Sequence, residues 1–501
     1  MDDIMKSVYI REENWYTLED LTKLFNYEID KTKKLLKKFI SYGILKVKYN
    51  KKNEVDDFID VEKEIINIDS DDRNKYFYKF TFVGIFMVSD IILKCYPKYI
   101  LNNPEEGYTL LLKQVLKVIS KMKKNKIVSF YGFQNLDMNN KEFNLIEIML
   151  YLLNDYYDHG VYTSIENTHE INGIKEINWD KTINESFVFI NNNSLFYPEL
   201  ITKKIIEDDK NFIKRLHQII LTQCINNMKY FGLIELLDIQ EFRLSDEELS
   251  DLGDIDYILN KIEKEQKIQY NTRKLTLLRV MYNFINSNYG FQNNSEFSFY
   301  GVSSFHVIWQ KVCEEVFEDK LYVNPNEINL PKKLIDKYKG YKELIDVIEK
   351  PKWELDKCIY NAKKSLEPDG ISIYEDESGK FSFIIFDAKY RIIESEPNIT
   401  GLPGIGEITK QYLYQLAYNE FIENHGFNKY SNSIYNLFLF PTDDDKICKR
   451  GIVKLELLES VGLKNIQIIS LPAQLMYELY LNNKKLDDIY PEMLSYILSK
   501  E

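Results

Sequence analysis

A short polar turn between two apolar segments constrains the fold of this chain more than any other feature. Residues 367–374 (EPDGISIY) predict a first strand, and residues 381–389 (FSFIIFDAK) predict a strand that returns antiparallel to it. Asp387 and Lys389 are two residues apart in the returning strand, so their side chains leave the same face. The predicted β-hairpin therefore brings Asp369 of the first strand to the same end as Asp387 and Lys389.

The three side chains together have the chemistry of a cation site. Two opposed carboxylates can share a hard divalent cation through oxygen ligands, and a neighbouring ammonium can orient a water or offset phosphate charge. The pattern Pro368-Asp369 followed by Asp387-Ala388-Lys389 resembles the PD-(D/E)xK nuclease superfamily. The resemblance implies that Asp369, Asp387 and the Ala388 carbonyl hold Mg²⁺, with Mn²⁺ as a substitute, and that Lys389 assists the attacking water. The alternative is a solvated hairpin with a lysine–aspartate pair at its rim.

Residues 403–418 (PGIGEITKQYLYQLAY) predict a glycine-containing loop that leads into an amphipathic helix. Gln411 and Gln415 are four residues apart and share one face of that helix. In many nucleases of the superfamily such a helix packs beside the hairpin, so the resemblance implies that Gln415 orients the phosphate or Lys389. The alternative is a core helix whose glutamines point to solvent.

Another helix is predicted upstream, over residues 305–317 (FHVIWQKVCEEVF), where apolar residues recur at helical spacing. Nucleases of this type often place an acid on this helix, directly after an aromatic residue. Gln310 stands at that position here, so the acid is either absent or supplied by Glu314, one turn further on. A surface charge on a packed helix is the alternative for Glu314.

The N-terminal residues 14–49 predict a helix-turn-helix followed by a wing strand. Thr17 caps a first helix over residues 18–25, and a second helix over 28–42 combines one apolar face with a lysine-rich remainder. We expect the lysines of this second helix to contact DNA phosphates. The predicted contacts are Lys33, Lys34, Lys37 and Lys38. A winged helix used for protein contact, or a merely solvated lysine face, is the alternative.

Several sequence blocks, taken in order, resemble the LlaJI-type restriction endonuclease family and, more distantly, McrC, the nuclease subunit of modification-dependent McrBC systems. The blocks are FVGI at 82–85, YPKY at 96–99, INWDKTI at 177–183, FYP at 196–198, DAKY at 387–390 and KQYLYQ at 410–415. The resemblance implies a nuclease subunit that works with a separate nucleotide-hydrolysing AAA+ motor, which uses GTP in McrBC. The sequence itself contains no Gly-x-x-x-x-Gly-Lys-Ser/Thr loop.

Composition bounds the protein class. The five cysteines form no Cys-x-x-Cys pair, the N-terminus lacks a signal pattern, and no apolar run is long enough to span a membrane. We therefore expect a cytoplasmic protein without a membrane segment. The net charge of −13 is the main objection to DNA binding, although the distribution of lysines matters more than the sum.

We expect an α/β chain, more fully a multidomain α+β protein. Its predicted parts are a winged-helix DNA- or partner-binding domain over 1–70, a small β unit over 71–103, a mainly helical domain over 104–290, a PD-(D/E)xK nuclease domain over 291–470, and a C-terminal helical tail over 471–501.

The expected function is metal-dependent cleavage of double-stranded DNA, as the endonuclease subunit of a restriction system for phage defence. The expected partner is a McrB-like AAA+ GTPase or ATPase subunit. Two alternatives stay open: a non-catalytic DNA-binding or adaptor protein with a decayed nuclease fold, and a stand-alone sequence-specific nuclease. Dimerisation also stays open, because the sequence does not determine the oligomeric state.

Overall fold

Helices and strands alternate along the chain, so the expected mixed α/β fold class is confirmed. The computed structural model describes residues 5–49, 76–88, 91–101, 105–124, 144–163, 165–174, 176–191, 194–207, 212–293, 297–355, 358–393, 400–427, 433–485 and 491. The chain forms two compact units. The smaller contains Met1–Lys6, Met87–Ile92 and Lys141–Tyr300, and the larger contains Ser7–Phe86, Leu93–Asn140 and Gly301–Glu501. None of the described helices combines the length and apolar composition needed to cross a lipid bilayer.

The N-terminal helices lie where the sequence predicts them. The first elements are β1 (Lys6–Arg11), β2 (Trp15–Thr17), α1 (Leu18–Phe25), α2 (Ile29–Ser41), β3 (Leu45–Tyr49) and β4 (Tyr76–Phe80). The Thr17 hydroxyl accepts a hydrogen bond from the Asp20 N–H, and the Asp20 carboxylate accepts one from the Thr17 N–H, which forms a capping box. Leu36 and Phe39 of α2 are fully buried, and Phe39 packs edge-on against Phe80 of β4.

Strand β4 lies between β2 and β3 and is antiparallel to both. Two further strands predicted in this region are present as β5 (Val83–Val88) and β6 (Ile91–Tyr96). They belong to a different, four-stranded sheet with the order β1-β6-β5-β11, in which β11 is Phe297–Val302. The strands expected in one small β unit are thus divided between two sheets.

The elements between β6 and β11 are α3 (Glu105–Lys124), α4 (Leu145–His159), β7 (Ile165–Ile171), α5 (Trp179–Glu185), β8 (Phe189–Asn191), β9 (Ser194–Phe196), β10 (Ile201–Glu207), α6 (Phe212–Tyr230), α7 (Leu249–Leu252), α8 (Ile255–Ile268) and α9 (Thr272–Asn293). All except α3 belong to the smaller unit. Its helices pack around buried apolar residues, and Arg273 of α9 donates two hydrogen bonds, of 2.8 and 2.7 Å, to Asp155 of α4. Helices dominate this region as predicted, with the pairs β7–β10 and β8–β9 added.

The remaining elements of the larger unit are α10 (Phe305–Val316), α11 (Asp336–Lys339), β12 (Lys352–Leu355), β13 (Cys358–Asn361), β14 (Gly370–Glu375), β15 (Phe381–Ala388), α12 (Ile405–Asn424), β16 (Ile434–Thr442), β17 (Cys448–Val453), α13 (Glu456–Glu459), β18 (Ile466–Pro472) and α14 (Ala473–Leu481). Short 3₁₀ turns cover Pro325–Glu327 and Leu344–Val347.

A five-stranded sheet with the order β14-β15-β16-β18-β17 forms the core of this C-terminal region. Strands β15, β16 and β18 are parallel to one another, while the two edge strands are antiparallel to their neighbours. Helix α12 is the crossover that joins the parallel strands β15 and β16. All eight residues of β15 are buried, as expected for a central strand covered on both faces.

Helices cover the two faces of β15. Phe383 and Ile385 share a buried cluster with Tyr418 and Phe421 of α12. On the alternate side, Phe386 packs against Phe317, the residue that ends α10. Successive side chains of a strand point to opposite faces, so this alternation fixes the hairpin between two helices.

Residues 56–72 are acidic and polar, which is consistent with a linker, and they lie outside the described residues, as does most of the predicted tail beyond α14. The five-part division of the chain stays a prediction.

Candidate active site

The hairpin that the sequence predicts is formed by β14 and β15, with Gly370 opposite Phe386. Asp369 immediately precedes β14, and its Oδ2 accepts a hydrogen bond of 2.8 Å from the N–H of Ala388. A Cβ atom at position 370 would lie 2.2 Å from the Phe386 ring, which explains why glycine follows the acid. The Phe386 ring packs directly on the backbone of Gly370, and this contact holds the preceding Asp369 against the end of β15.

The carboxyl groups of Asp369 and Asp387 meet at this end of the hairpin. Burial, the charge of Asp387 and a hydrogen bond with Asp387 all raise the pKa of Asp369 well above its ordinary value. The Asp369 carboxyl therefore holds a proton more readily than an ordinary aspartate, because it is buried beside a second carboxyl group. A divalent cation bound to the same two carboxyl groups would offset the repulsion between them.

The backbone supplies a third oxygen. Within a strand, the N–H and C=O of one residue point to the same side, so the Ala388 carbonyl points to the side on which its N–H meets Asp369. The described residues contain no group of three or more His, Cys, Asp or Glu side chains arranged around a metal. Mg²⁺ is commonly held by one or two carboxylates, with water and substrate phosphate completing its shell. The residues present therefore fit this ion.

Lys389 lies between two acids. Its Nζ is 2.8 Å from Oδ2 of Asp387 and 2.9 Å from Oε1 of Glu407, and 14% of its side chain is exposed. Burial alone would lower the pKa of Lys389, but the charges and hydrogen bonds of Asp387 and Glu407 raise it above its ordinary value. The amine is therefore held as an ammonium, which can donate hydrogen bonds and offset negative charge but cannot accept a proton.

Glu407 is a site residue that the sequence reasoning missed. It is the third residue of α12, and its Oε2 accepts a hydrogen bond of 2.9 Å from the Gly404 N–H. Arg391 donates two further bonds of 2.9 Å to the same carboxylate. An acid in the first turn of a helix is a sequence-level capping signal, and this signal could have identified it.

The Gln415 side-chain oxygen accepts hydrogen bonds from Asn436 and from the Lys464 N–H, and the predicted role of Gln415 toward the phosphate or Lys389 stays a prediction. Gln411 and Gln415 are both buried in the interior. Gln411 Nε2 donates to Asn436 Oδ1 at 2.7 Å, and Gln415 Oε1 accepts from the Lys464 N–H at 3.1 Å. Glu407, in the first turn of α12, is the residue of this helix that pairs with the lysine. Further along the helix, burial and the charges of Asp387 and Asp369 raise the pKa of Tyr414 to about 12. Both glutamines are buried, so the alternative that they point to solvent is wrong.

Glu314 of α10 is mostly buried, with 13% of its side chain exposed. It accepts a hydrogen bond of 2.9 Å from Gln310 Nε2 and is paired with Lys311. Burial raises the pKa of Glu314, against the opposing effect of Lys311 and Gln310. Burial raises the pKa of the Cys313 thiol, and the charges of Asp369 and Glu314 add to the shift, so both acids lie near this thiol. A catalytic role for Glu314 stays a prediction.

A second buried acid contacts the residue that follows the lysine. The Tyr390 hydroxyl donates to Oε2 of Glu12, which also accepts from the Lys98 N–H at 3.3 Å. Glu12 is only 4% exposed, and burial raises its pKa to about 7, although Tyr390 and Lys98 oppose the shift. Phe305 of α10 packs on the Tyr390 ring. Residues separated by 378 positions thus meet at the end of β15, and no local pattern predicts this pairing.

The lysines predicted to contact DNA lie on α2. Lys34 and Lys37 are exposed, whereas Lys33 and Lys38 are half-buried. These lysines lie on the part of α2 that does not carry the buried residues Leu35, Leu36 and Phe39, as the periodicity predicts. Their contact with DNA stays a prediction.

Comparison with known proteins identifies related sequences. Residues 82–474 match the family described as LlaJI restriction endonuclease. A relative from Bacillus subtilis (strain 168), the type II restriction enzyme BsuMI component YdjA, is 28% identical over 423 residues, which cover 82% of this chain and 83% of the relative.

Two solved structures from Thermococcus gammatolerans also match. One is a half-complex from a tetradecameric assembly of McrB AAA+ hexamers with bound McrC, at 13% identity and a TM-score of 0.36, covering 95% of this chain and 100% of the matched chain. The other is a McrBC complex, at 12% identity and a TM-score of 0.21, covering 56% and 80%. TM-scores at this level do not establish a shared fold.

The raised pKa of Asp369 predicts an unusual effect of Asp369→Asn. Because the Asn amide is neutral, can donate to Asp387 and can still accept from the Ala388 N–H, the variant should melt roughly 1–2 °C above the wild type in chelator. The wild type should gain stability on addition of Ca²⁺ or Mg²⁺, and the variant should not. Differential scanning fluorimetry with and without the cation measures both effects. Glu377→Gln, at the exposed turn of the same hairpin, is the matched control and should behave as the wild type. A cation response retained by Asp369→Asn would contradict the site.

The pKa of Glu12 predicts a pH-dependent effect of Glu12→Gln. The folded protein holds this proton up to pH about 7, whereas an unfolded Glu loses it near pH ~4.3, so the contribution of Glu12 to stability falls as pH rises between these values. The stability of Glu12→Gln relative to the wild type should therefore increase from pH about 5 to about 8. Melting temperatures over this range test it.

The neighbouring variant Glu13→Gln provides a control of opposite sign. Burial would raise the pKa of Glu13, but Lys98 lowers it below its ordinary value, so the ionised form stabilises the fold. Its replacement should cost stability at high pH and less at low pH. If both variants shifted the melting temperature equally at every pH, the assignment of the buried proton to Glu12 would be wrong.

Proposed function

Because this chain belongs to the LlaJI restriction endonuclease family, we propose that it is the DNA-cleaving subunit of a restriction system and hydrolyses a phosphodiester with the help of Mg²⁺. The observation that carries this proposal is the close pair of Asp369 and Asp387 with the charged Lys389 beside it. These are the groups of the PD-(D/E)xK pattern, and they converge at one end of a rigid hairpin.

In the proposed reaction Asp369, Asp387 and the Ala388 carbonyl hold Mg²⁺, and Mn²⁺ can take its place. The bound ion would lower the pKa of a water molecule and offset the charge that develops on the phosphate. Lys389 donates hydrogen bonds to the attacking water or to a phosphate oxygen. Because the amine is held as an ammonium, it orients the nucleophile and offsets charge, and does not act as the base.

The residues around the lysine fix its position. Glu407 is itself held by Arg391 and the Gly404 N–H, so the carboxylate cannot follow the amine if the amine moves. Lys389 can therefore turn only within a short arc between Asp387 and Glu407. We propose that Glu407 is the residue that positions Lys389, a role that the sequence assigns to Gln415.

We further propose that the chain works with a separate AAA+ subunit that hydrolyses GTP or ATP. The sequence blocks shared with McrC-like proteins support this proposal, as does the description of the Bacillus relative as one component of a restriction enzyme. The sequence has no P-loop of its own, so nucleotide hydrolysis of the P-loop type requires another protein. The DNA substrate is double-stranded.

One observation favours a second candidate function, a DNA-binding or adaptor protein with a decayed nuclease fold. Glu314 is engaged by Gln310 and Lys311, so the helix preceding the hairpin presents a paired acid. Absence of cleavage with Mg²⁺ or Mn²⁺ and with every candidate motor subunit would select this function. A stand-alone nuclease, the other alternative, would cut without nucleotide.

The proposed site predicts the loss of cleavage in Asp387→Ala and Lys389→Ala. Asp387→Ala removes a proposed metal ligand, and Lys389→Ala removes the ammonium beside the two carboxyl groups. We therefore expect the rate of DNA cleavage to fall at least ~100-fold in each variant. Lys410→Ala, on the exposed face of α12, should cut as the wild type. Melting temperatures establish that the variants are folded. Cleavage retained by either variant would rule out the site.

The proposed partner predicts that the purified chain alone does not cleave plasmid DNA. Cleavage should begin on addition of a McrB-like AAA+ protein from the same host and of GTP or ATP, and it should stop when a non-hydrolysable analogue replaces the nucleotide. Gel assays with the two proteins, singly and mixed, measure this. Efficient sequence-specific cutting by the chain alone would remove the motor from the proposal.

A further inference from the structure

The hairpin β12–β13 exposes a row of apolar side chains. Its antiparallel register places Trp353 opposite Tyr360 and Leu355 opposite Cys358. Because side chains alternate across a strand, these four lie on one face of the hairpin. All eight residues of the two strands are exposed, with 60% exposure for Trp353 and 56% for Tyr360.

An exposed aromatic pair on an isolated ribbon does not contribute to the core. A two-stranded hairpin is marginally stable in water, and it usually needs a third strand or a helix to cover its apolar face. Neither of its strands pairs with another described strand. Contiguous exposed apolar surface of this kind marks a binding surface.

The charge around the hairpin indicates an anionic partner. Four lysines flank or lie in it and are exposed: Lys350, Lys352, Lys363 and Lys364. None of them forms an ion pair with a residue in the described ranges, whereas Lys337 and Lys339 of the preceding helix are both paired with acids. In a chain with a net charge of −13, residues 349–364 carry five lysines against three acids, and this local positive excess around aromatic side chains is suited to nucleic acid.

The hairpin also arises beside the candidate active site. The Ala362 N–H donates to the Pro351 carbonyl at 2.8 Å, and the Ser365 hydroxyl donates to the Glu349 carbonyl at 2.6 Å, so the two legs are closed at the base. Asp369 follows the last residue of β13, Asn361, by eight positions. Eight residues reach at most ~28 Å, which is less than one turn of B-form DNA. The base of the hairpin therefore lies within the length of one helical turn of a DNA duplex bound at Asp369.

We propose that this hairpin binds the DNA substrate next to the scissile phosphate, with Trp353 and Tyr360 stacked on bases and the four lysines on phosphates. The proposal rests on the proposed nuclease function, because the active site defines where the DNA lies. In a closed duplex the base faces are covered by their neighbours, so stacking requires bases that are unpaired or kinked apart. The hairpin thus selects DNA that is opened beside the cut.

The test compares two labelled duplexes of identical length, one fully paired and one with a central unpaired bubble. Binding is measured by fluorescence anisotropy with the full-length protein, with Ca²⁺ replacing Mg²⁺ to prevent cleavage. The double variant Trp353→Ala, Tyr360→Ala should lose at least ~10-fold in affinity for the bubble duplex and much less for the paired one. The double variant Lys350→Ala, Lys363→Ala should weaken binding to both duplexes and reduce the salt slope of log K by about 2.

Leu457→Ala with Val461→Ala provides the matched control, since both side chains are exposed apolar groups of the same unit at 72% and 62%. This control should bind both duplexes as the wild type. Wild-type affinity of the aromatic variant for the bubble duplex would overturn the proposal. So would unchanged DNA binding with loss of association with the AAA+ subunit, which would assign the face to a protein partner.

The cation-induced rise in melting temperature separates failure of this proposal from failure of the proposed nuclease. Hairpin variants should keep that rise, since they leave Asp369 and Asp387 unchanged. Suppose that the wild type shows neither this rise nor cleavage, but that the aromatic variant still loses affinity for the bubble duplex. That result would refute the nuclease proposal and support the DNA-binding hairpin.

Discussion

Two carboxyl groups forced together at the end of a buried strand determine the chemistry of this molecule. Asp369 is held by the backbone N–H of Ala388, and Asp387 cannot move away because β15 is covered on both faces. The free energy of bringing two acids together must be offset by a proton or by a cation. The raised pKa of Asp369 reflects its burial and its repulsion by the neighbouring carboxyl group.

The lysine depends on the same constraint. A flexible ammonium beside a single carboxylate would have many rotamers, but Lys389 is held between Asp387 and Glu407 and is shielded from most solvent. Glu407 in turn is fixed by a guanidinium and by the start of a helix, where a negative charge is favoured by the helix dipole. The result is a chain of alternating charges, from Asp387 through Lys389 and Glu407 to Arg391. Such an arrangement orients a donor toward a phosphate at little entropic cost on binding.

Distant parts of the larger unit end at the same point. Glu12, Lys98 and Phe305 all contact Tyr390, the residue that follows the lysine. The segments that follow β1 and β6 therefore meet the end of β15 through hydrogen bonds, and helix α10 meets it through ring packing. The exposed hairpin β12–β13 precedes Asp369 along the chain.

Local periodicity in the sequence determined the hairpin, the helices α1, α2, α10 and α12, and the convergence of Asp369, Asp387 and Lys389, because alternation and capping act over a few residues. Only the tertiary structure decided which partner each face meets. It buried Gln415 against Asn436 and Lys464, brought Glu407 to the lysine, and joined Glu12 to Tyr390 across 378 positions. A periodic pattern specifies whether a face is apolar or polar. The pairing of distant residues depends on how the helices cross the sheet, and a short sequence segment does not carry that information.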